Sequence, residues 1–96
     1  MIKTSMKYIL NKSDDFFDIE YFTNNHIPLV KELMGSVVKQ LRVEYSYNSK
    51  FKLVMIKTTI YVNSIDEFQN AFEKCSMQLY LDSRNYTNVE PKMMME

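Results

Sequence analysis

The stretch from Gln40 to Val62, QLRVEYSYNSKFKLVMIKTTIYV, constrains the fold more than any other part of the chain. Leu41, Val43, Tyr45 and Tyr47 alternate with Arg42, Glu44 and Ser46, the period of two that marks a half-buried strand. β-Branched and aromatic residues at those positions suit a pleated surface. Asn48-Ser49-Lys50 interrupts the pattern with turn-forming residues, and a second apolar run follows. The stretch reads as a β-hairpin.

Parity then selects the loop. A two-residue loop would set Tyr45 opposite Lys52 and Glu44 opposite Leu53, because a slip of one residue turns every side chain over. A three-residue loop, Asn48 to Lys50, pairs Tyr47 with Phe51, Tyr45 with Leu53 and Val43 with Met55. It places Lys50 in a left-handed position that usually takes Gly or Asn. In a regular second strand, Phe51, Leu53 and Met55 continue the apolar face, while Val54, Ile56, Ile60 and Val62 fall on the opposite one. Either a bulge near Met55 to Thr58 swaps the faces, or the row is an exposed apolar patch of the kind that marks an interface. Val54, Ile56, Ile60 and Val62 are the candidate partner-binding residues, for an unidentified protein or for a second copy.

Elsewhere the patterns are shorter. Ile2, Met6, Tyr8 and Leu10 share a face of a first strand, and NKSDD at 11–15 is a turn. Phe17, Ile19 and Tyr21 alternate with Asp18 and Glu20 and are expected to pair back as a second strand; a helix capped by Ser13 is the competing reading. Ile27, Val30, Leu33, Met34, Val37, Val38 and Leu41 follow helical spacing, so a helix is expected over 27–39, capped by Asn25, with Gly35 inside it at a close approach. Ser64 and Glu67 form a capping box before the stripe Ile65, Phe68, Ala71, Phe72, Cys75, Leu79. That predicts a second helix over 65–81, the alternative being a strand at 77–81. Residues 82–96 show no period, and 83–96 are expected to be an extended or mobile tail. The whole is one α+β domain over 1–82, an antiparallel sheet of about four strands in the order ββαββα with two helices packed on one face.

Ninety-six residues with 46% hydrophobic content support one core. Twelve basic and twelve acidic residues cancel, which gives no long-range attraction to nucleic acid or anionic lipid. A single cysteine, Cys75, excludes an intrachain disulfide and suits a reducing, cytoplasmic setting. The N-terminal MIKTSMKYILNK lacks the apolar core of a signal peptide. Phe, Tyr, Met, Ile, Asn and Lys number 46 against six for Gly, Ala, Arg and Pro, the bias of an AT-rich genome such as that of a low-GC bacterium or its phage.

Chemistry-bearing patterns are sparse. Asp14, Asp15, Asp18 and Glu20 read as a turn and a solvated strand face rather than a closed cation site. His26 and Cys75 would have to meet in space to form a nucleophile–base pair, and the stripe position of Cys75 points instead to a buried thiol. No Gly-rich phosphate loop or zinc spacing is present, so neither catalytic residues, metal nor cofactor are expected. Arg42, Lys50, Lys52 and Lys57, near Tyr45, Tyr47 and Tyr61, form an alternative nucleic-acid site, weighed against the simpler role of lysines as edge guards. The expectation is a small non-catalytic protein-binding module, of the type a phage or mobile element uses to inhibit a host protein. Nucleic-acid binding is the alternative.

Overall fold

The alternating segments form strands β1 (Ile2–Ile9) and β2 (Gln40–Tyr47), which flank a longer strand, β3 (Leu53–Val62). A short strand β4 (Lys92–Met95) joins the outer side of β1, giving the order β2-β3-β1-β4 with every neighbour antiparallel. The computed structural model describes residues 1–95. Two helical segments cover one face of this sheet, the class expected from the sequence. The elements run β-α-β-β-α-β, however, and not ββαββα.

The hairpin is present with a shifted register. Asn48 Oδ1 accepts from the Lys50 and Lys52 N–H groups, and the Asn48 N–H donates to the Lys52 carbonyl. The turn residues are thus Ser49, Lys50 and Phe51, and Phe51 takes the left-handed position at φ 61°. Tyr47 faces Leu53 and Ser46 faces Met55, leaving Val54 as the bulged residue. Tyr45 therefore meets Ile56 rather than Leu53, and Val43 meets Thr58.

That bulge overturns the proposed interface row. Beyond it, Ile56, Ile60 and Val62 turn to the same face as Leu41, Val43 and Tyr45 on β2 and Tyr8 on β1. Ile56, Ile60 and Val62 are 0%, 4% and 0% exposed and belong to the core. Val54 is half-buried at the bulge, where its carbonyl accepts from the Leu10 N–H. No exposed apolar row exists there to receive a partner.

The first helical segment, α1, starts earlier than expected. Asp18 accepts from the Tyr21 N–H as N-cap, and Ile19–Tyr21, a π turn at Phe22–His26 and Ile27–Met34 follow without a break. The expected strand at 17–21 is absent; only an isolated bridge joins Phe17 to Thr87. Three alternating residues were too few to separate a period of two from the helical spacing that Ile19, Phe22, His26, Val30 and Met34 share. Pro28 accounts for the π turn. It lacks an N–H and would clash with the carbonyl four residues back, and the Ile27 N–H reaches back five residues to Phe22 instead.

Gly35 ends α1 and is not in its interior. Its φ of +57° is a backbone state that side chains resist, and a Cβ there would meet nothing within 4 Å. Conformation, not close approach, requires the glycine. The second helix, α2 (Ile65–Ser83), matches its prediction, with Ser64 Oγ accepting from the Glu67 N–H.

The expected tail is structural. Tyr86 is fully buried and Thr87 nearly so, and β4 pairs with β1 through Thr4 to Met95 and Lys7 to Lys92. The core has two clusters. One gathers Val30, Met34, Ile60, Val62, Phe68, Cys75 and Leu79; the other holds Tyr8, Phe22, Ile27, Ile56 and Tyr86.

Candidate functional site

Between the two clusters the interior is not filled. A cavity of about 480 Å³ lies between the sheet and the two helices, and both clusters contribute to its wall. Phe22, Ile27 and Met34 enter it from α1, Phe68, Phe72 and Leu79 from α2. Its mouth is marked by Met77 and Tyr80 of α2 and Met93 of β4, which are 68%, 50% and 43% exposed.

The polar groups of this cavity come from residues far apart in sequence. His26 is the last residue of the π turn, which places both Phe22 and His26 inward; their rings stack at 5.5 Å. His26 Nδ1 lies 2.8 Å from Asp82 Oδ2 in the final turn of α2. Burial pulls the His26 pKa below its ordinary value, against the upward pull of Asp82. The imidazole is therefore neutral at pH 7, its Nδ1–H donates to the carboxylate, and Nε2 keeps a lone pair. The contact becomes an ion pair only when the ring takes up a proton.

Asp82 is held from three sides. Partial burial acts upward on its pKa, but hydrogen bonds from His26, Tyr21 and Asn85 outweigh it and hold the carboxyl below the usual range. Tyr86 packs against His26 with ring centroids 4.6 Å apart, and its hydroxyl lies 2.7 Å from that of Tyr8. Burial pushes both phenol pKa values up, so both hydroxyls stay protonated. Two hydroxyl protons serve one mutual bond, which leaves one proton to donate elsewhere. Thr58 adds a buried hydroxyl that has no partner among the described residues. The chamber is mainly apolar, and His26, Tyr8, Tyr86 and Thr58 are among the polar residues that line it.

The residues singled out from sequence fare differently. His26 and Cys75 are not brought together: Cys75 Sγ donates to the Ala71 carbonyl at 3.3 Å, and burial raises its pKa. Asp15 accepts from the Asn11 and Lys12 N–H groups, Asp18 caps α1, and Asp14 and Glu20 are exposed. Lys50 sits in the hairpin turn and Lys52 directly after it, whereas Arg42 and Lys57 lie on the sheet face away from the helices. Tyr45 is on the helix face and Tyr61 on the opposite one.

Known structures share this fold. An EthD-like protein from Ralstonia eutropha superposes with a TM-score of 0.84 at 20% identity, over 99% of this chain and 89% of that one. The chain has an EthD-like fold. An ethyl tert-butyl ether D (EthD) family protein from Bacillus halodurans gives 0.69 at 14% identity, over 100% of this chain and 97% of that one. A dimeric ferredoxin-like protein from an uncultured marine organism gives 0.50 at 10% identity, over 100% and 91%. No protein-family model and no curated protein matches the sequence, so the likeness to EthD-like proteins is one of fold. Among the described residues, no helix is long and apolar enough to cross a membrane.

Asp82 and Tyr86 were missed in the sequence. Asp82 did leave a signal: a carboxylate in the last turn of a helix opposes the helix dipole, so it needs another reason to be there. Tyr86 left none, being a lone aromatic in a polar run.

Proposed function

We propose that the chain binds one small, mainly apolar molecule in the cavity between its two core clusters. The observation that carries this is the cavity itself. Protein interiors are close-packed and contain few voids larger than a water molecule, yet here about 480 Å³ separates the clusters. That volume suits a molecule of one or two rings. His26 Nε2 would accept from a ligand hydroxyl, and the spare proton of the tyrosine pair or the Thr58 hydroxyl would donate to a ligand oxygen. This replaces the protein-docking row, of which Ile60 lines the cavity and Ile56 and Val62 are buried in the core.

The test is a titration of isotope-labelled protein with 1-naphthol, followed by amide chemical shifts. Saturable shifts at Thr58, Ser76 and Tyr86 are expected, and Ser76→Trp, which fills the chamber, should abolish them. Shifts that fail to saturate, or that persist in the filled variant, count against the proposal.

His26 and Asp82 also favour a second reading. A neutral imidazole oriented by a carboxylate is equipped to act as a general base. Consumption of a bound ligand by the wild type, with binding but no consumption in His26→Gln, would select it.

A further inference from the structure

Strand β2 lies at the edge of the sheet, and among the described residues it pairs with β3 alone. Sheets blunt their free edges with lysine, proline, a bulge or a very short strand. β2 uses none of these. It runs eight residues, Gln40–Tyr47, without lysine, proline or glycine, and the bulge of the hairpin falls on β3 at Val54. The other edge strand, β4, is only four residues long.

Because the extra residue belongs to β3, the alternation along β2 is unbroken. The Asn48 N–H donates across the hairpin to the Lys52 carbonyl. Counting back in twos from Asn48, the backbone groups of Ser46, Glu44 and Arg42 face β3, and those of Leu41, Val43 and Tyr45 face off the edge. The side chains add a second observation. Arg42 and Glu44, on either side of Val43, are exposed on the helix-free face, and among the described residues neither has an ion-pair partner. A row of lysines would repel a second copy; one charge of each sign does not.

We propose that this edge pairs with the same edge of a second copy, antiparallel about a two-fold axis at Val43. In that register the outward N–H and C=O groups of Leu41, Val43 and Tyr45 meet those of the other strand. Each Arg42 stands opposite the partner's Glu44 on the helix-free face, and each Leu41 opposite the partner's Tyr45 on the helix face. Glu44 then sits between Lys57 of its own β3 and the partner's Arg42. The nearest registers that keep each face on its own side are centred on Arg42 or on Glu44. Both set like charge against like across the strands, which destabilises the pair. The charges therefore select the register. The same surface serves both copies, so the assembly closes at two. It joins two four-stranded sheets edge to edge with all helices on one side.

Sedimentation equilibrium of the full chain over a range of concentrations tests this. One strand pair with exposed ion pairs predicts a monomer–dimer equilibrium with Kd between about 10 μM and 1 mM. Glu44→Arg replaces both attractions with repulsions and should weaken the dimer by about tenfold. Exchanging the charges, Arg42→Glu with Glu44→Arg, should restore it. Both positions are exposed, and urea denaturation checks that each variant is folded. Hydrogen exchange reads the register: the amides of Leu41, Val43 and Tyr45 should slow as concentration rises, while those of Arg42 and Glu44, already bonded to β3, should not. The proposal is overturned by a chain that stays monomeric at about 1 mM, by unchanged association in Glu44→Arg, or by a charge exchange that fails to restore the dimer. Association that leaves the Val43 amide unprotected also overturns it, as do species that grow beyond two copies, the mark of β2 pairing with β4 of another copy.

Discussion

The hydroxyls of Tyr8 and Tyr86 meet at 2.7 Å across 78 positions of sequence, tying the first strand to the segment that follows the last helix. Both rings are almost fully buried. Removing one hydroxyl strands the other in a low-dielectric interior, which costs more than removing both. Tyr86→Phe should therefore destabilise the fold by roughly 1–2 kcal/mol, and the double Tyr8→Phe, Tyr86→Phe variant by less than the sum of the singles. Urea denaturation of the four proteins in the cycle checks this. Strict additivity would mean that the bond contributes nothing.

Gly35 makes a case where space and conformation separate. A Cβ at this position would stand in open space, with nothing within 4 Å, yet φ is +57°. Gly35→Ala should destabilise by about 1–3 kcal/mol through backbone strain alone. An unchanged unfolding midpoint would show that the end of α1 relaxes freely to a negative φ.

How much of this was legible in the sequence differs by element. The second helix was readable because Ser64 and Glu67 mark its start and a long apolar stripe follows. The hairpin was readable as a hairpin, but not its register, because the left-handed position fell to Phe51 and the bulge to Val54, neither of which advertises that geometry. That single bulge decided whether Ile56, Ile60 and Val62 faced solvent or core. The cavity was not legible at all. It depends on Pro28 forcing a π turn that places His26 inward, and on Asp82 and Tyr86 arriving from residues that showed no period.

Thr58 bears on the link between stability and binding. Its hydroxyl is buried and without a partner among the described residues, a cost the fold carries without an internal return. Thr58→Val should stabilise the protein by about 1 kcal/mol and weaken the binding of a hydroxyl- or carbonyl-bearing ring compound. Thermal unfolding and the 1-naphthol titration report the two effects separately. Destabilisation by Val would mean that the hydroxyl already has a satisfying contact.

The pH dependence follows from His26 and Asp82 together. Burial lowers the folded-state pKa of His26, and the hydrogen bonds to Asp82 lower that of the carboxyl despite its partial burial. For each group the unfolded chain binds more protons between the two values, so stability rises with pH there. The His26 contribution is fully present above about 6.5 and is lost as pH falls through its folded value. Asp82 acts with the same sign lower down, its contribution present above about 3.9 and lost in stronger acid. Urea midpoints should accordingly drop between pH 7.5 and 5.5 in the wild type. His26→Gln retains a donor for Asp82 but cannot titrate, so its midpoint should change less over the same interval. A wild-type midpoint that instead rises on acidification would mean that attraction between imidazolium and carboxylate outweighs burial, and His26 would then be charged in the cavity.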